Sequence, residues 1–145
     1  MPLSVRKGDR QQGKLEVLNL AMNLCTHTLT LCKNEKYFPK NQRWLLTSKI
    51  ASEAVDALTC IRRANATLVD GDLIDARYQY RSSQQTEAHA HLGALYALID
   101  VAYNLNDGIT DSAVAYWSKL VKDTDDKLKA WIRSDSATYK AKKQG

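Results

Sequence analysis

Hydrophobic residues recur at intervals of three and four along most of the chain. From Leu15 onward this spacing places a run of apolar residues on one helical face. The stripe consists of Leu15, Leu18, Met22, Cys25, Leu29 and Cys32, and is widened by Leu20, Leu24 and Leu31. No segment alternates with the period of two that a strand requires. The pattern therefore predicts an all-α fold that begins with an amphipathic helix one.

A second apolar stripe begins at Pro39. Proline suits the first turn of a helix because its missing N–H would have no intrahelical partner there. The stripe continues through Leu46, Ile50, Ala54, Leu58 and Ile61. Asp70 and Gly71 then form a turn signal, which predicts that helices two and three are antiparallel neighbours.

The third segment, about residues 72 to 106, has two unlike halves. Its C-terminal half has a strong stripe, formed by Leu95, Leu98, Val101, Ala102 and Leu105. Its N-terminal half contains the polar run "SSQQTE" after Tyr80. An unbroken helix of this length would extend for about 50 Å. Either the helix is interrupted, or its N-terminal half projects past the other helices or faces a partner.

Helix four opens at Thr110-Asp111-Ser112, which offers good N-cap chemistry. Its stripe consists of Ala113, Trp117, Leu120, Val121, Thr124, Leu128 and Trp131. Four amphipathic helices with short connections predict an up-down-up-down antiparallel four-helix bundle. We assign residues 15–134 to this bundle, residues 1–14 to a basic N-terminal tail and residues 135–145 to a basic C-terminal tail.

The formal net charge of +5 is concentrated near the two ends of the chain. Basic ends favour association with polyanions in a salt-dependent way. No run of about eighteen apolar residues could cross a bilayer, and the polar N-terminus has no apolar segment of the signal-peptide type. We therefore expect a cytoplasmic protein without a membrane partner.

The motifs of common catalytic and metal sites are missing from the sequence. The glycines form neither a GxxxxGK[ST] nor a GxGxxG loop. His89 and His91 are two residues apart, whereas a metal pair on a helix needs a spacing of three or four. Glu87 and His91 are four apart, and we interpret them as a structural or interfacial pair rather than an acid–base dyad. We expect no enzyme activity, no metal and no cofactor.

The cysteines also lack the pattern of a catalytic, metal or disulfide site. Cys25, Cys32 and Cys60 are odd in number, lie within apolar periodic segments and have no CxxC spacing. They also lack a neighbouring base that would activate a thiolate. They are predicted to be reduced residues of the core.

Basic and aromatic residues crowd together around Pro39. The basic residues are Lys33, Lys36, Lys40 and Arg43, the aromatic ones are Tyr37, Phe38 and Trp44, and Glu35 is the only acid among them. Phe38 and Trp44 are suited to closing the end of the core. Lys40 and Arg43 are candidates for contact with phosphate groups.

A second set of basic residues is expected at the opposite end of the helices. It comprises Arg62, Arg63, Arg77 and Arg81. Lys140, Lys142 and Lys143 of the C-terminal tail are further candidates for contact. Arg77 and Arg81 are one helical turn apart and share a face. Arginine favours planar, bidentate contacts with phosphate or carboxylate. We predict that these residues contact nucleic acid or a polymerase.

Three segments of the chain resemble one known family. They are "CKNEKYFPKNQRWLLTSKI", "YQYRSSQQTEAHAHLGALYALIDVAY" and "VAYWSKLVKDTDDKLKAWIRSD". They resemble the Avd family, the accessory variability determinants of diversity-generating retroelements, over about residues 13 to 135. The most specific part is Phe38, Pro39, Lys40, Arg43, Leu46 and Ile50. The family is close to the four-helix-bundle proteins of ribosomal RNA intervening sequences, and the motif does not separate the two.

The resemblance implies a basic helical bundle that assembles into a ring, typically a homopentamer. Such a protein has no activity of its own and binds a retroelement reverse transcriptase and structured RNA or an RNA/DNA hybrid. It supports mutagenic cDNA synthesis. In a ring, surplus apolar residues such as Leu20, Leu24, Tyr96 and Trp131 would be buried between subunits. A purely structural protein-interaction bundle whose basic ends aid solubility remains the alternative from a different class.

Overall fold

The computed structural model describes the backbone of residues 5–145 and the side chains of residues 16–145. It contains four α-helices: α1 (Val5–Cys32), α2 (Ser48–Ala66), α3 (Ile74–Leu105) and α4 (Asp111–Gln144). No strand lies between residues 5 and 145, which confirms the predicted all-α class. None of the helices described has both the length and the apolar character needed to cross a membrane. Of the predicted N-terminal tail, residues 1–14, the backbone of residues 5–14 belongs to α1, and the side chains lie outside those described.

Each helix packs against two others around one core. The helix α2 contacts α1 and α3, and α4 also contacts α1 and α3. The largest fully buried apolar side chains are Val17, Leu24, Ile50, Ile61, Leu92, Leu95, Ile99, Trp117, Val121 and Leu128. All four helices contribute to this set, so no helix is peripheral.

The inward face of α1 differs from the predicted stripe. Met22 and Leu29, which were assigned to that stripe, are exposed. Among the described side chains of α1, residues 16–32, the buried ones are Val17, Ala21, Leu24, Cys25 and Thr28. The predicted stripe residue Leu15 lies outside the described side chains. The small and polar members of this face carry little weight in a hydrophobic pattern. Thr28 nevertheless belongs inside because its Oγ1 accepts a hydrogen bond of 2.9 Å from Nε1 of buried Trp117.

Helix two does not begin as a regular α-helix at Pro39. The chain forms a 3₁₀ turn over Lys40–Gln42 and a π-helical turn over Arg43–Thr47 before α2 starts at Ser48. Pro39 precedes the first turn with an extended backbone, φ −58° and ψ 149°. The prediction that Pro39 lies at the start of this helical region is therefore correct, but the regular α-helix begins later than predicted.

The polar half of α3 belongs to an uninterrupted helix. Arg81, Gln85 and Ala88 are buried there, so this half neither breaks nor projects away. Its partner is the C-terminal part of α4, because Asp135 accepts hydrogen bonds from both Arg81 and Gln85. The predicted C-terminal tail, residues 135–145, is therefore wrong as a structural unit, since α4 continues to Gln144.

The surplus apolar residues are only partly those predicted. Leu24 and Trp131 lie in the core of this chain and are not surplus. Leu20 is half-buried, and Tyr96 is exposed as expected. Other large apolar residues exposed on the described parts of the helices are Met22, Leu29, Val55, Tyr80, Val101, Leu105 and Tyr116.

Candidate nucleic-acid interface

The connection between α1 and α2 is seated tightly on the end of the core. Phe38 is buried there, and its ring meets Trp117 edge-on with centroids 6.1 Å apart. The connection also lies directly on the loop between α3 and α4, because a Cβ built at Gly108 would be 2.1 Å from the carbonyl oxygen of Lys36. Lys36 N donates to Asn34 Oδ1 at 2.9 Å, which closes the turn after α1. These contacts fix the backbone that carries the basic cluster.

The basic side chains of this connection face solvent. Lys33, Lys36, Lys40 and Arg43 are all exposed. Lys40 Nζ lies 3.5 Å from Glu35 Oε1, but both side chains are more than 60% exposed. Such surface pairs contribute only about 0–1 kcal/mol and are screened by salt. Phosphate can therefore compete for Lys40 at little cost, and the surface is available to a polyanion.

The two rings that were expected to close the core differ in burial. Phe38 closes the core, but Trp44 is 79% exposed and its neighbour Leu45 is 76% exposed. Both project from the π-helical turn, whose inward side chain is Leu46. The sequence contains a weak sign of this arrangement, since three large apolar residues in succession cannot all face inward on one helix.

Arg81 is not available for contact with nucleic acid. The residue is 4% exposed, and its Nε and Nη2 donate to the two carboxylate oxygens of Asp135 at 2.6 and 2.9 Å. Its Nη1 donates to the carbonyl oxygen of Thr67 at 3.0 Å. The guanidinium also lies 5.0 Å from the centroid of the Trp131 ring. The prediction for Arg81 is therefore wrong, because the bidentate partner of this arginine is an internal carboxylate.

The other predicted contacts at that end fall into two groups. Arg62, Arg63, Arg77 and Lys140 are exposed. Lys142 and Lys143 instead tie the end of α4 to the connection between α2 and α3 and to the first turn of α3. Lys142 Nζ donates to the carbonyl oxygen of Val69 at 2.7 Å, and Lys143 Nζ lies 3.1 Å from both carboxylate oxygens of Asp75. The carbonyl oxygen of Val69 and the carboxylate of Asp75 therefore engage two lysines at this end, whereas the other four basic residues stay exposed.

A cavity of about 540 Å³ lies beside the buried ion pair. It is lined by Leu68, Tyr78, Arg81, Trp131, Asp135 and Tyr139, among others. Tyr78 and Tyr139 stack with their ring centroids 3.9 Å apart and their planes within 2° of parallel. These rings hold the C-terminal part of α4 against α3, so the tyrosine pair has a structural role.

The two histidines of α3 pair with other helices. His89 Nδ1 lies 2.7 Å from Asp125 of α4, and His91 Nδ1 lies 2.7 Å from Glu53 of α2. The predicted partner Glu87 is farther from His91, at 3.9 Å from its Nε2. A cavity of about 380 Å³ adjoins His91 and Glu87. Within the described side chains, no group of three or more His, Cys, Asp or Glu residues is arranged to hold a metal ion.

The cysteines lie where the sequence places them, in or against the core. Cys25 and Cys60 are buried, Cys32 is half-buried, and all three are free thiols. Burial raises the pKa of each thiol, in the case of Cys32 to about 11. The thiolate is the reactive form of cysteine, so these residues are poor nucleophiles near neutral pH.

Comparison of the chain with protein-family models, with curated proteins and with solved structures gives no match. The family resemblance of the sequence therefore rests on the three segments quoted above. Of these, the segment that joins α1 and α2 combines the exposed Lys33, Lys36, Lys40 and Arg43 with Trp44, the most exposed large apolar side chain among those described. This segment is the candidate interface.

Proposed function

We propose that this chain is a non-catalytic accessory protein that binds structured RNA and a retroelement reverse transcriptase, and thereby supports mutagenic cDNA synthesis. One observation carries the proposal: Lys33, Lys36, Lys40 and Arg43 are all exposed around a backbone that is fixed on the core. Glu35 is the only acid among them, and its ion pair is exposed to solvent. The family resemblance supplies the kind of partner.

The physical basis of RNA binding is counterion release. Each phosphate that a lysine or arginine neutralises frees condensed cations, which makes the affinity fall as salt rises. One such cluster gives only modest affinity. A ring of identical subunits repeats the cluster around an axis, so that weak contacts act together on one RNA molecule.

The antiparallel up-down-up-down arrangement of the subunit is supported by the order of side-chain pairs. Glu16, early in α1, pairs with Lys127 at 3.2 Å, whereas Thr28, late in α1, is bonded to Trp117, early in α4. The two helices therefore run in opposite directions. Pairs between α3 and α4 follow the same rule; they are Arg81 with Asp135, His89 with Asp125 and Tyr103 with Asp111.

Assembly into a ring, a homopentamer, is supported by apolar side chains left exposed on the helices. Met22 and Leu29, seven residues apart, share one exposed face of α1. Val101 and Leu105, four residues apart, share an exposed face of α3. Two different apolar surfaces on one subunit are what a head-to-tail contact requires, and repetition of that contact closes a ring.

The RNA part of the proposal is tested by measuring the affinity for a structured RNA over a range of salt concentrations. The double variant Lys40→Gln with Arg43→Gln should bind more weakly and with a smaller salt dependence. If both side chains contact phosphates, the slope of log affinity against log salt falls by about 1.4 to 1.8. The matched control is Lys119→Gln with Lys122→Gln, which removes the same charge from lysines that pair with Asp123 and Asp126 on α4.

Equal slopes for both double variants and the wild-type protein would contradict this location of the RNA site. The polymerase part is tested separately by co-purification with the reverse transcriptase after nuclease treatment. Capture of the polymerase together with negligible affinity for RNA at physiological salt would favour a protein-interaction bundle instead.

A further inference from the structure

Trp44 is the most exposed large apolar side chain in the described part of the chain. Tryptophan is highly buried on average, and the other two tryptophans follow that rule, with Trp117 and Trp131 only 1% and 7% exposed. Trp44 is 79% exposed. Exposure of an aromatic ring of this size to water is unfavourable, so burial of the ring against a binding partner lowers the free energy.

The ring is carried by a fixed segment. Leu46, two residues later, is buried in the core. Before Trp44, Gln42 Nε2 donates a hydrogen bond of 2.6 Å to Oδ1 of buried Asn106 at the end of α3. After it, the chain passes directly into α2 at Ser48. With anchors on both sides, little backbone freedom is lost when a ligand settles on Trp44.

The charge around this ring identifies the partner. Arg43 precedes Trp44, and Lys40 and Lys49 flank the turn on either side. All three are exposed. A purely apolar protein surface would leave these cations unmatched, whereas a polyanion with planar aromatic groups satisfies both the cations and the ring. Single-stranded RNA has this composition, since its bases stack on aromatic side chains while its phosphates meet lysine and arginine.

We propose that Trp44 is a stacking platform for an unpaired base of single-stranded RNA, and that Lys40 and Arg43 neutralise the phosphates beside that base. The inference rests on the proposed RNA binding and specifies its chemistry: an unpaired region, recognised without dependence on base identity. It excludes a duplex as the preferred ligand, because paired bases offer no free face to Trp44.

The chain provides its own optical probe. Because Trp44 is the exposed one of three tryptophans, a base that stacks on it should quench the exposed component of the tryptophan emission. The titration uses a twelve-nucleotide oligouridylate, an abasic ribose-phosphate strand of the same length and a duplex RNA. We expect quenching and tight binding with oligouridylate, and weaker binding without quenching by the abasic strand.

Two substitutions separate the ring from its surroundings. Trp44→Leu keeps an apolar side chain but removes the aromatic face, and should lower the affinity for oligouridylate about 5- to 150-fold. Trp44→Phe should retain more of the affinity than Trp44→Leu does. The matched control is Leu45→Ala, which removes an equally exposed apolar side chain next in sequence and should leave RNA affinity unchanged. Thermal melts should be the same for all variants, since neither side chain lies in the core.

These measurements distinguish a failure of the stacking proposal from a failure of the proposed RNA binding. If Trp44→Leu and wild type bind oligouridylate equally, the stacking platform is overturned while RNA binding elsewhere stands. If Trp44→Leu loses self-association or polymerase binding but keeps its RNA affinity, Trp44 belongs to a protein interface and the inference is wrong. If the wild-type protein binds none of the three strands at low salt, the proposed function itself fails.

Discussion

Replacement of Arg81 by methionine should destabilise the protein strongly. The guanidinium makes two hydrogen bonds to Asp135 and one to the carbonyl oxygen of Thr67, and the side chains of Arg81 and Asp135 are only 5% and 13% exposed. Methionine fills similar space but leaves the buried carboxylate with Gln85 as its remaining donor. Removal of one partner from a buried pair costs about 3–5 kcal/mol. We expect about 3 kcal/mol here because Asp135 retains some access to water.

The assays are urea unfolding and a thermal melt, both followed by circular dichroism. A loss of about 3 kcal/mol corresponds to roughly 6–12 °C in Tm for a domain of this size. Arg77→Met is the control, because Arg77 lies one turn earlier on the same helix but is exposed, and should change stability by less than about 0.5 kcal/mol. Asp135→Asn, introduced together with Arg81→Met, should restore part of the stability, because it removes the uncompensated charge while keeping an acceptor for Gln85.

A change below about 1 kcal/mol for Arg81→Met would refute this reasoning, because it would place the pair among ordinary surface ion pairs. Failure of Asp135→Asn to restore any stability would show that the loss comes from packing rather than from the unpaired carboxylate. Either result would also weaken the explanation of why the polar half of α3 is folded against α4.

Three further predictions concern the core and its thiols. Trp117→Ala removes a fully buried ring and should cost about 3–5 kcal/mol in urea unfolding; an unchanged midpoint would contradict its placement. Gly108→Ala forces a methyl group against the carbonyl of Lys36 and should cost about 1–3 kcal/mol, with a Tm equal to wild type as the opposing result. Burial raises the pKa of Cys32 from 9.0 to about 11, so the unfolded chain releases this proton first. Stability should therefore decline from about pH 9 to pH 11 in pH-dependent melts, and Cys32→Ala should reduce that decline.

The periodic pattern was most informative where a helix buries large side chains at regular spacing. On α4, Trp117, Val121 and Leu128 all face the core as predicted. On α1 the pattern was right only in part: Leu24 and Cys25 are buried as predicted, whereas Met22 is exposed and the small Ala21 packs inside. Hydrophobicity alone cannot decide between neighbouring faces when the packing partner favours small side chains.

At the candidate site, sequence spacing likewise could not predict which charged residues are available for binding. The sequence grouped Arg77 with Arg81 because they are one turn apart. Only the fold brings Asp135, 54 positions later, to within 2.6 Å of Arg81. In the same way, Trp44 projects from a π-helical turn, and the run of three large apolar residues gives only a weak sign of which one is exposed. Local spacing identifies candidate residues, whereas the availability of each one depends on contacts that are distant in sequence.

The central claim is that RNA meets the basic connection between α1 and α2. Ultraviolet cross-linking of the assembled protein to a uridine-rich RNA, followed by trypsin digestion and mass spectrometry, tests it most directly. Cleavage after Arg43 and Lys49 isolates residues 44–49, which contain Trp44. The account predicts that cross-linked nucleotides concentrate on this peptide and on residues 37–43. Cross-links confined to peptides around Arg62 and Arg77, with none between residues 33 and 49, would contradict it.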